Sequence, residues 1–304
     1  MLSVGSLTRA ELAGRMAGAG LELQTGPFTT RLHSDIGSVV DGIALLYADY
    51  PLAAATGFAD FHLRLFRPAG IRRWHRPQVQ LQSDGNTPFS PLPLAQAFPL
   101  FEWGLNWCVA SRAHNYLIIH AAVIERGGRA AILPAPPGSG KSTLCTALVH
   151  RGWRLLSDEL ALIQLSDGAV APMTRPISLK NASITLMRDY LDAPVFSPPV
   201  HDTIKGTVAH LRAPADSVRR ALQTARPAWV VFPQYATGAE PALTPMSKAR
   251  GQMELAGNAF NYSMLGSAGF HAAARLIGES DCYQFRYSRL DDAIAQFERL
   301  APQP

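Results

Sequence analysis

A chain of 304 residues with 47% apolar and 17% charged side chains and a net charge of +5 can bury a core and divide into two structural units. That composition excludes a disordered chain, and three widely spaced cysteines (Cys108, Cys145, Cys282) exclude a zinc cluster or a disulfide framework and point to a reducing cytoplasm. The basic residues are 24 arginines against four lysines (Lys141, Lys180, Lys205 and Lys248), which singles out each lysine.

Residues 1–20 are interrupted by Arg9, Glu11 and Arg15, so no secretory leader is expected, and no stretch reaches the ~20 apolar residues of a membrane span. Residues 26–32 are predicted as a strand and 38–47 as an amphipathic helix, and 61–66 and 78–82 alternate as two further strands. Residues 64–76 interleave five arginines with Phe66 and Trp74 around a turn at Gly70. They read as a basic protein surface rather than a nucleic-acid interface, since the overall charge is modest and no reader motif accompanies them; they could instead hold an acidic partner. A loop over 85–93 precedes a long helical pattern over 94–113, where Phe98, Phe101, Trp103 and Trp107 pack the first unit against the second. Residues 1–113 are therefore expected to form a smaller α+β domain.

Past residue 114 the pattern changes. Strands over 116–126 and 129–135 flank Gly127-Gly128, a dipeptide suited to a two-residue hairpin. Pairing Arg126 with Arg129 sets His120 opposite Ala135, at the mouth of the next segment. That segment, Ala135-Pro136-Pro137-Gly138-Ser139-Gly140-Lys141-Ser142-Thr143, reads as a phosphate-binding P-loop with Ala135 in the place of its first glycine. The turn from Pro137 to Gly140 and the first helical residues aim backbone N–H groups at phosphates. Lys141 reaches the β- and γ-phosphates, Ser142 ligates Mg²⁺, and Thr143 opens a helix that stops at Gly152. The ligand expected is ATP with Mg²⁺.

Seventeen residues after Lys141, the apolar stretch 154–163 is broken by Ser157-Asp158-Glu159. One helix and one tight return place this strand beside the P-loop strand, with its acids near the phosphates. A pairing of His120 with Asp158 would activate a hydroxyl nucleophile. After a hairpin at Asp167-Gly168, Arg175 and Lys180 are candidate triphosphate contacts. Residues 290–300 close the chain as an amphipathic helix.

The run His120-Ala121-Ala122-Val123 before a hairpin, the P-loop and the acid pair together resemble the HPr kinase/phosphorylase superfamily, whose fold is related to phosphoenolpyruvate carboxykinase. The closer resemblance is to the bacterial HPr-kinase-related kinases of the A type. Trp103-Gly104-Leu105-Asn106-Trp107 and the run from Arg151 through Trp153 to Glu159 extend it over nearly the full chain. It implies an α/β fold with a P-loop nucleotide-binding domain of that type over 114–304, preceded by the smaller α+β domain. It also implies ATP-dependent transfer of the γ-phosphoryl group to a hydroxyl, in the serine manner, of a small protein or peptide. Asp158 would be the base, His120 would support it, and Ser142 and Glu159 would serve the metal. Ile204-Lys205-Gly206-Thr207-Val208 resembles the family's Arg-Gly loop, with Lys205 as its phosphate contact in place of arginine. Glu159 for the second aspartate and Lys205 for arginine argue against the reverse phosphorylase reaction and against HPr as acceptor. The implied partners are a peptide or small protein, a peptide-chaperone protein among them, and further copies of this chain. Two other classes stay open: an ATPase in which Asp158 positions water, and a nucleotide-binding scaffold without chemistry.

Overall fold

The computed structural model describes residues 2–53, 58–70, 72 and 74–301. A Thr8–Glu11 capping box, each residue satisfying the other's backbone N–H, starts α1 (Arg9–Ala17). Strands β1 (Leu21–Thr25) and β2 (Phe28–Ser34) follow, then α2 (Gly37–Leu46), β3 (Phe61–Phe66), β4 (Gln78–Ser83) and β5 (Leu92–Pro93). The five strands form one sheet in sequence order, with β2 and β3 parallel. Along β3, Phe61, Leu63 and Leu65 are buried while His62 and Arg64 face solvent, the alternation the sequence carries. Of the basic stretch 64–76, Ile71 and Arg73 lie outside the described residues; Arg67, Arg72 and Arg76 are exposed. The 16-residue α3 (Ala97–Arg112) covers this sheet with Phe98, Phe101 and Leu105.

The chain then runs through β6 (Tyr116–Arg126), β7 (Arg129–Pro134), α4 (Lys141–Val149), β8 (Arg154–Ser157), β9 (Leu160–Gln164) and β10 (Val170–Ala171). Next come β11 (Ile177–Lys180), α5 (Ala182–Tyr190), β12 (Val200–Thr203), β13 (Gly206–Leu211), α6 (Ala215–Arg219) and β14 (Arg226–Tyr235). It ends with β15 (Ala242–Pro245), α7 (Lys248–Gly257), α8 (Tyr262–Leu265), α9 (Ser267–Glu279), β16 (Asp281–Tyr287) and α10 (Leu290–Leu300). An eight-stranded mixed sheet has the order β10-β9-β6-β7-β14-β16-β15, with β8 also on β6. Its centre, β7-β14-β16, is parallel. Strands β11, β13 and β12 make a third, antiparallel sheet. The protein is thus a mixed α/β fold of three sheets, and among the described residues no helix is long and apolar enough to cross a membrane.

Alternation along β6 and β7 buries both faces of the large sheet. Ile118, Ala122, Ile124, Ala131 and Leu133 join a core that runs on through α3 into the first sheet, from Val4 to Phe297. Leu117, Ile119, Ala121, Val123, Ala130 and Ile132 face a second core closed by Leu255, Ala273 and Leu276 of α7 and α9. The hairpin register is the expected one, from Arg126↔Arg129 to Ala121↔Pro134. The acid-bearing strand is placed differently from expectation. It lies antiparallel on β6, with Glu125↔Arg154 and Tyr116↔Gln164 at its two ends and His120↔Leu160 just past the bend, and does not pair with β7. The outer edge of β7 is taken by β14, where Arg226, Pro227, Trp229 and Val230 pair with it in parallel and leave the shorter return after α4 the far edge of β6.

Candidate active site

Everything at the site depends on where β7 stops. After Pro134 the chain leaves the sheet as the loop 135–140 and enters α4 at Lys141. Gly140 carries φ +84°, and a Cβ there would sit 2.6 Å from the Tyr287 hydroxyl, so only glycine fits. The Tyr287 hydroxyl donates to the Gly140 carbonyl at 3.1 Å, and the Tyr235 N–H donates to the Ser139 carbonyl at 3.1 Å. The carboxyl ends of β14 and β16 therefore hold the back of the loop. No side chain caps α4, which leaves the amides of its first turn for an anion. Pro137 and Gly138 are exposed, Ser139, Ser142 and Thr143 are half-buried, and the Ser139 hydroxyl has no partner among the described residues.

With β7 gone, the vacated edge of β6 is filled by residues 258–261. The His120 N–H donates to the Asn258 carbonyl (2.7 Å), and the Phe260 N–H donates to the Ile118 carbonyl (2.8 Å). The Asn261 side chain accepts from the Ile118 N–H and donates to the Tyr116 carbonyl, both at 2.9 Å. This strap seats the Phe260 ring 5.8 Å from the imidazole of His120.

Asp158 and Glu159 occupy the bend between β8 and β9, where the strand running along β6 kinks. The Ser157 hydroxyl accepts the Leu160 N–H at 3.1 Å and stabilises that bend. Because the backbone is bent rather than extended at these two positions, both acids reach the site. The Lys141 ammonium, buried, donates to His120 Nε2 at 3.0 Å, and the same nitrogen lies 3.5 Å from Glu159 Oε2. Glu159 Oε1 is 4.0 Å from Lys180 Nζ. His120 therefore meets Lys141 and Glu159, not the Asp158 partner expected from the sequence. Asp158 instead accepts the Ser178 N–H on Oδ2 at 3.2 Å, while its Oδ1 is buried without a hydrogen-bond partner among the described residues.

The two carboxyls titrate in opposite directions. Burial, and then repulsion from Glu159, raise Asp158 to about 6 against the pull of Lys141, the Ser142 hydroxyl and the Ser178 N–H. Burial alone would raise Glu159 as well, but His120, Lys180, Lys141 and Lys205 outweigh it and hold this carboxyl well below the usual range. Lys141 is shifted down by burial, with Glu159 and Asp158 opposing the shift.

Lys205 projects from the turn between β12 and β13, where Thr203 Oγ1 accepts its N–H at 3.0 Å; its ammonium lies 5.4 Å from the centre of the Trp103 ring. Three of the four lysines thus act on Glu159. The fourth, Lys248, donates to the Ile277 carbonyl (2.9 Å) at the end of α9 and to that of Ser280. Arg175 does not join the phosphate site: its buried guanidinium is taken up by Glu102 and Asn106. Residues the sequence reading passed over are Tyr235, Tyr287, Ser178 and the 258–261 strap. Tyr235 carries a legible signal, since it closely follows the apolar run 228–233; Tyr287 ends the mixed strand Asp281–Tyr287 and carries none.

Among the described residues no group of three or more His, Cys, Asp or Glu side chains could hold a metal ion. The oxygen donors beside the first turn of α4, the Ser142 hydroxyl and the Glu159 carboxylate, fit a hard cation, and among the described residues Asp158 Oδ1 is left free beside them. Mg²⁺ takes one or two carboxylates and completes its shell with phosphate and water, so the residues suit an ion that arrives with a nucleotide.

No family model matches the chain, and no curated protein matches it. Among solved structures it is similar to the Hpr(Ser) kinase/phosphatase from Coxiella burnetii, at 11% sequence identity and a TM-score of 0.28 over 60% of this chain and 96% of that chain. A likeness that weak has no bearing on function.

Proposed function

We propose that the chain is an ATP-dependent phosphotransferase that passes the γ-phosphoryl group to a serine-type hydroxyl of a small protein or peptide. The observation that carries this is Asp158 Oδ1, a buried, unpartnered carboxylate oxygen near the helix that a P-loop would use for phosphates. A carboxyl raised to about 6 is ionised at neutral pH yet still basic enough to take a proton, which suits a general base.

The amides of 138–143 and Lys141 hold the phosphates, and Lys141 exchanges its His120 contact for a phosphate oxygen. Ser142 and Glu159 would hold Mg²⁺, which would supply positive charge against the β- and γ-phosphates. Asp158 Oδ1 accepts the proton of the acceptor hydroxyl as its oxygen bonds to the γ-phosphorus and the bond to the β–γ bridging oxygen breaks. His120 keeps Lys141 and Glu159 aligned, and Lys205 and Lys180 add positive charge on the Glu159 side of the site. Glu159 in the place of a second aspartate and a lysine in the Arg-Gly loop favour the forward reaction on an acceptor other than HPr. A peptide-chaperone or peptide substrate fits that reading.

The test follows label from the γ-phosphate of ATP during incubation with the protein, Mg²⁺ and a bacterial small-protein extract. Label on a protein or peptide, identified by mass, is the expected result. Label recovered only as free phosphate would replace transfer by hydrolysis. ATP bound without movement of label would leave a scaffold.

A further inference from the structure

Between β10 and β11 the chain crosses residues 172–176 with no regular secondary structure, yet every residue there is buried. Irregular buried backbone has to be fixed from outside. One set of contacts comes from the acid-bearing strand: the Met173 N–H donates to the Leu156 carbonyl at 2.9 Å and the Thr174 hydroxyl to that of Leu155 at 3.2 Å. The other set comes from the N-terminal unit. Arg175 Nη1 donates to the Glu102 carbonyl at 3.2 Å and lies 3.3 Å from Glu102 Oε2, while Nη2 donates to Asn106 Oδ1. The Tyr47 hydroxyl donates to the remaining carboxylate oxygen, Glu102 Oε1, at 2.6 Å. Both oxygens of a fully buried carboxylate are thereby satisfied.

On the far side, the β1–β2 turn presses on the same segment. Gly26 has φ +59°, and a Cβ on it would lie 2.2 Å from the Pro172 carbonyl oxygen, so the two backbones are in direct contact. Three residues past Arg175, the Ser178 N–H is the donor that orients Asp158 through Oδ2 and leaves Oδ1 unpartnered. A buried ion pair is a poor source of stability but can select one arrangement of the chain around it.

We propose that Arg175, gripped by Glu102 and Asn106 of α3, is a positioning residue that sets the Ser178 amide and through it the Asp158 carboxylate. The N-terminal unit, for which no motif names a role, then controls the geometry of the base without touching nucleotide. This rests on Asp158 as the base of the proposed transfer.

The test compares Glu102→Gln and Arg175→Lys with the native chain by three measurements: Mg·ATP affinity, turnover as phosphoryl transfer from Mg·ATP to the bacterial small-protein extract, and hydrogen exchange of backbone amides. Arg175→Lys keeps the charge and serves if Glu102→Gln fails to fold. The expected result is an affinity within about threefold of native and turnover reduced about tenfold or more, since small misplacement of a reacting group is costly. The amides of Thr174, Arg175, Ile177 and Ser178 exchange faster while those of 138–143 do not change. Unchanged turnover with unchanged exchange, or a turnover loss matched by an equal loss of affinity, would overturn the proposal. If the native chain itself shows no transfer, the proposed function is what fails, and exchange at 174–178 alone decides whether Arg175 positions that segment.

Discussion

Adjacent along the chain at one kink, buried Asp158 and half-buried Glu159 differ because their neighbours differ: Glu159 collects His120 and three lysines, whereas Lys141, the Ser142 hydroxyl and the Ser178 N–H do not offset the burial of Asp158. A base with a pKa of about 6 is protonated and inactive below that value. Turnover is therefore expected to rise about tenfold per pH unit through the acidic range, bend near 6 and level above it. A rate profile flat from pH 5 to 8 would contradict that.

Stability carries the opposite sign. The folded-state value of Asp158 lies above the ~3.9 of an unfolded aspartate, so the native state keeps its proton longer, and stability falls as pH rises from about 4 to 6. Asp158→Asn removes that cost. The variant should melt higher than the native chain at pH 8 and level with it at pH 4, as followed by thermal unfolding. Equal melting temperatures at both pH values would mean that burial does not strain this carboxyl. Glu159, shifted down, behaves in reverse: its contribution is present above the ~4.3 of an unfolded glutamate and is lost as pH falls.

At the scale of elements, the hairpin was readable because Gly127-Gly128 fixes one pair and the antiparallel ladder dictates the rest. Helices at 38–47 and 290–300 and the strands at 61–66 and 78–82 were legible for the same local reasons, periodicity and turn residues. The neighbour of the acid-bearing strand was not legible, because the edge of β7 is claimed by β14, a segment distant in sequence. Nor could β6 be seen to need a strap, since nothing local says that β7 ends before its partner does.

The strap makes a quantitative point. Asn261 is 1% exposed and satisfies both the Ile118 N–H and the Tyr116 carbonyl. Asn261→Ala would leave both backbone groups buried and unpaired, at about 1–3 kcal/mol each. Denaturant unfolding should show a loss of about 2–6 kcal/mol, along with weaker order around His120. A change under 0.5 kcal/mol would show that water or a local shift replaces those bonds.

Across the whole molecule, the first sheet, α3 and one face of the large sheet share a single core. Phe28 lies 6.0 Å from Tyr116 and Phe98 lies 5.4 Å from His210, ring contacts that join residues before and after 113. Calorimetry should accordingly find one cooperative transition, with calorimetric and van't Hoff enthalpies in agreement. Two resolved transitions would mean the halves fold independently. The excess of arginine over lysine also acquires a physical sense at this scale, because three of only four lysines gather at Glu159. What sequence could supply was the inventory of the site, Lys141, Ser142, Asp158, Glu159 and His120, since spacing and residue chemistry reveal those. It could not supply the partners of that inventory: His120 on Lys141, Ser178 on Asp158 and the tyrosines behind the loop depend on long-range pairing.

The most direct measurement is on Asp158→Asn, whose side chain keeps the shape of the site and removes the base. Mg·ATP affinity and phosphoryl transfer are measured on the same preparation, beside the native chain. The prediction is affinity within about threefold of native and transfer reduced at least ~100-fold, the range general-base catalysis supplies. Transfer persisting near the native rate with binding intact would contradict Asp158 as the base and, with it, the proposed mechanism.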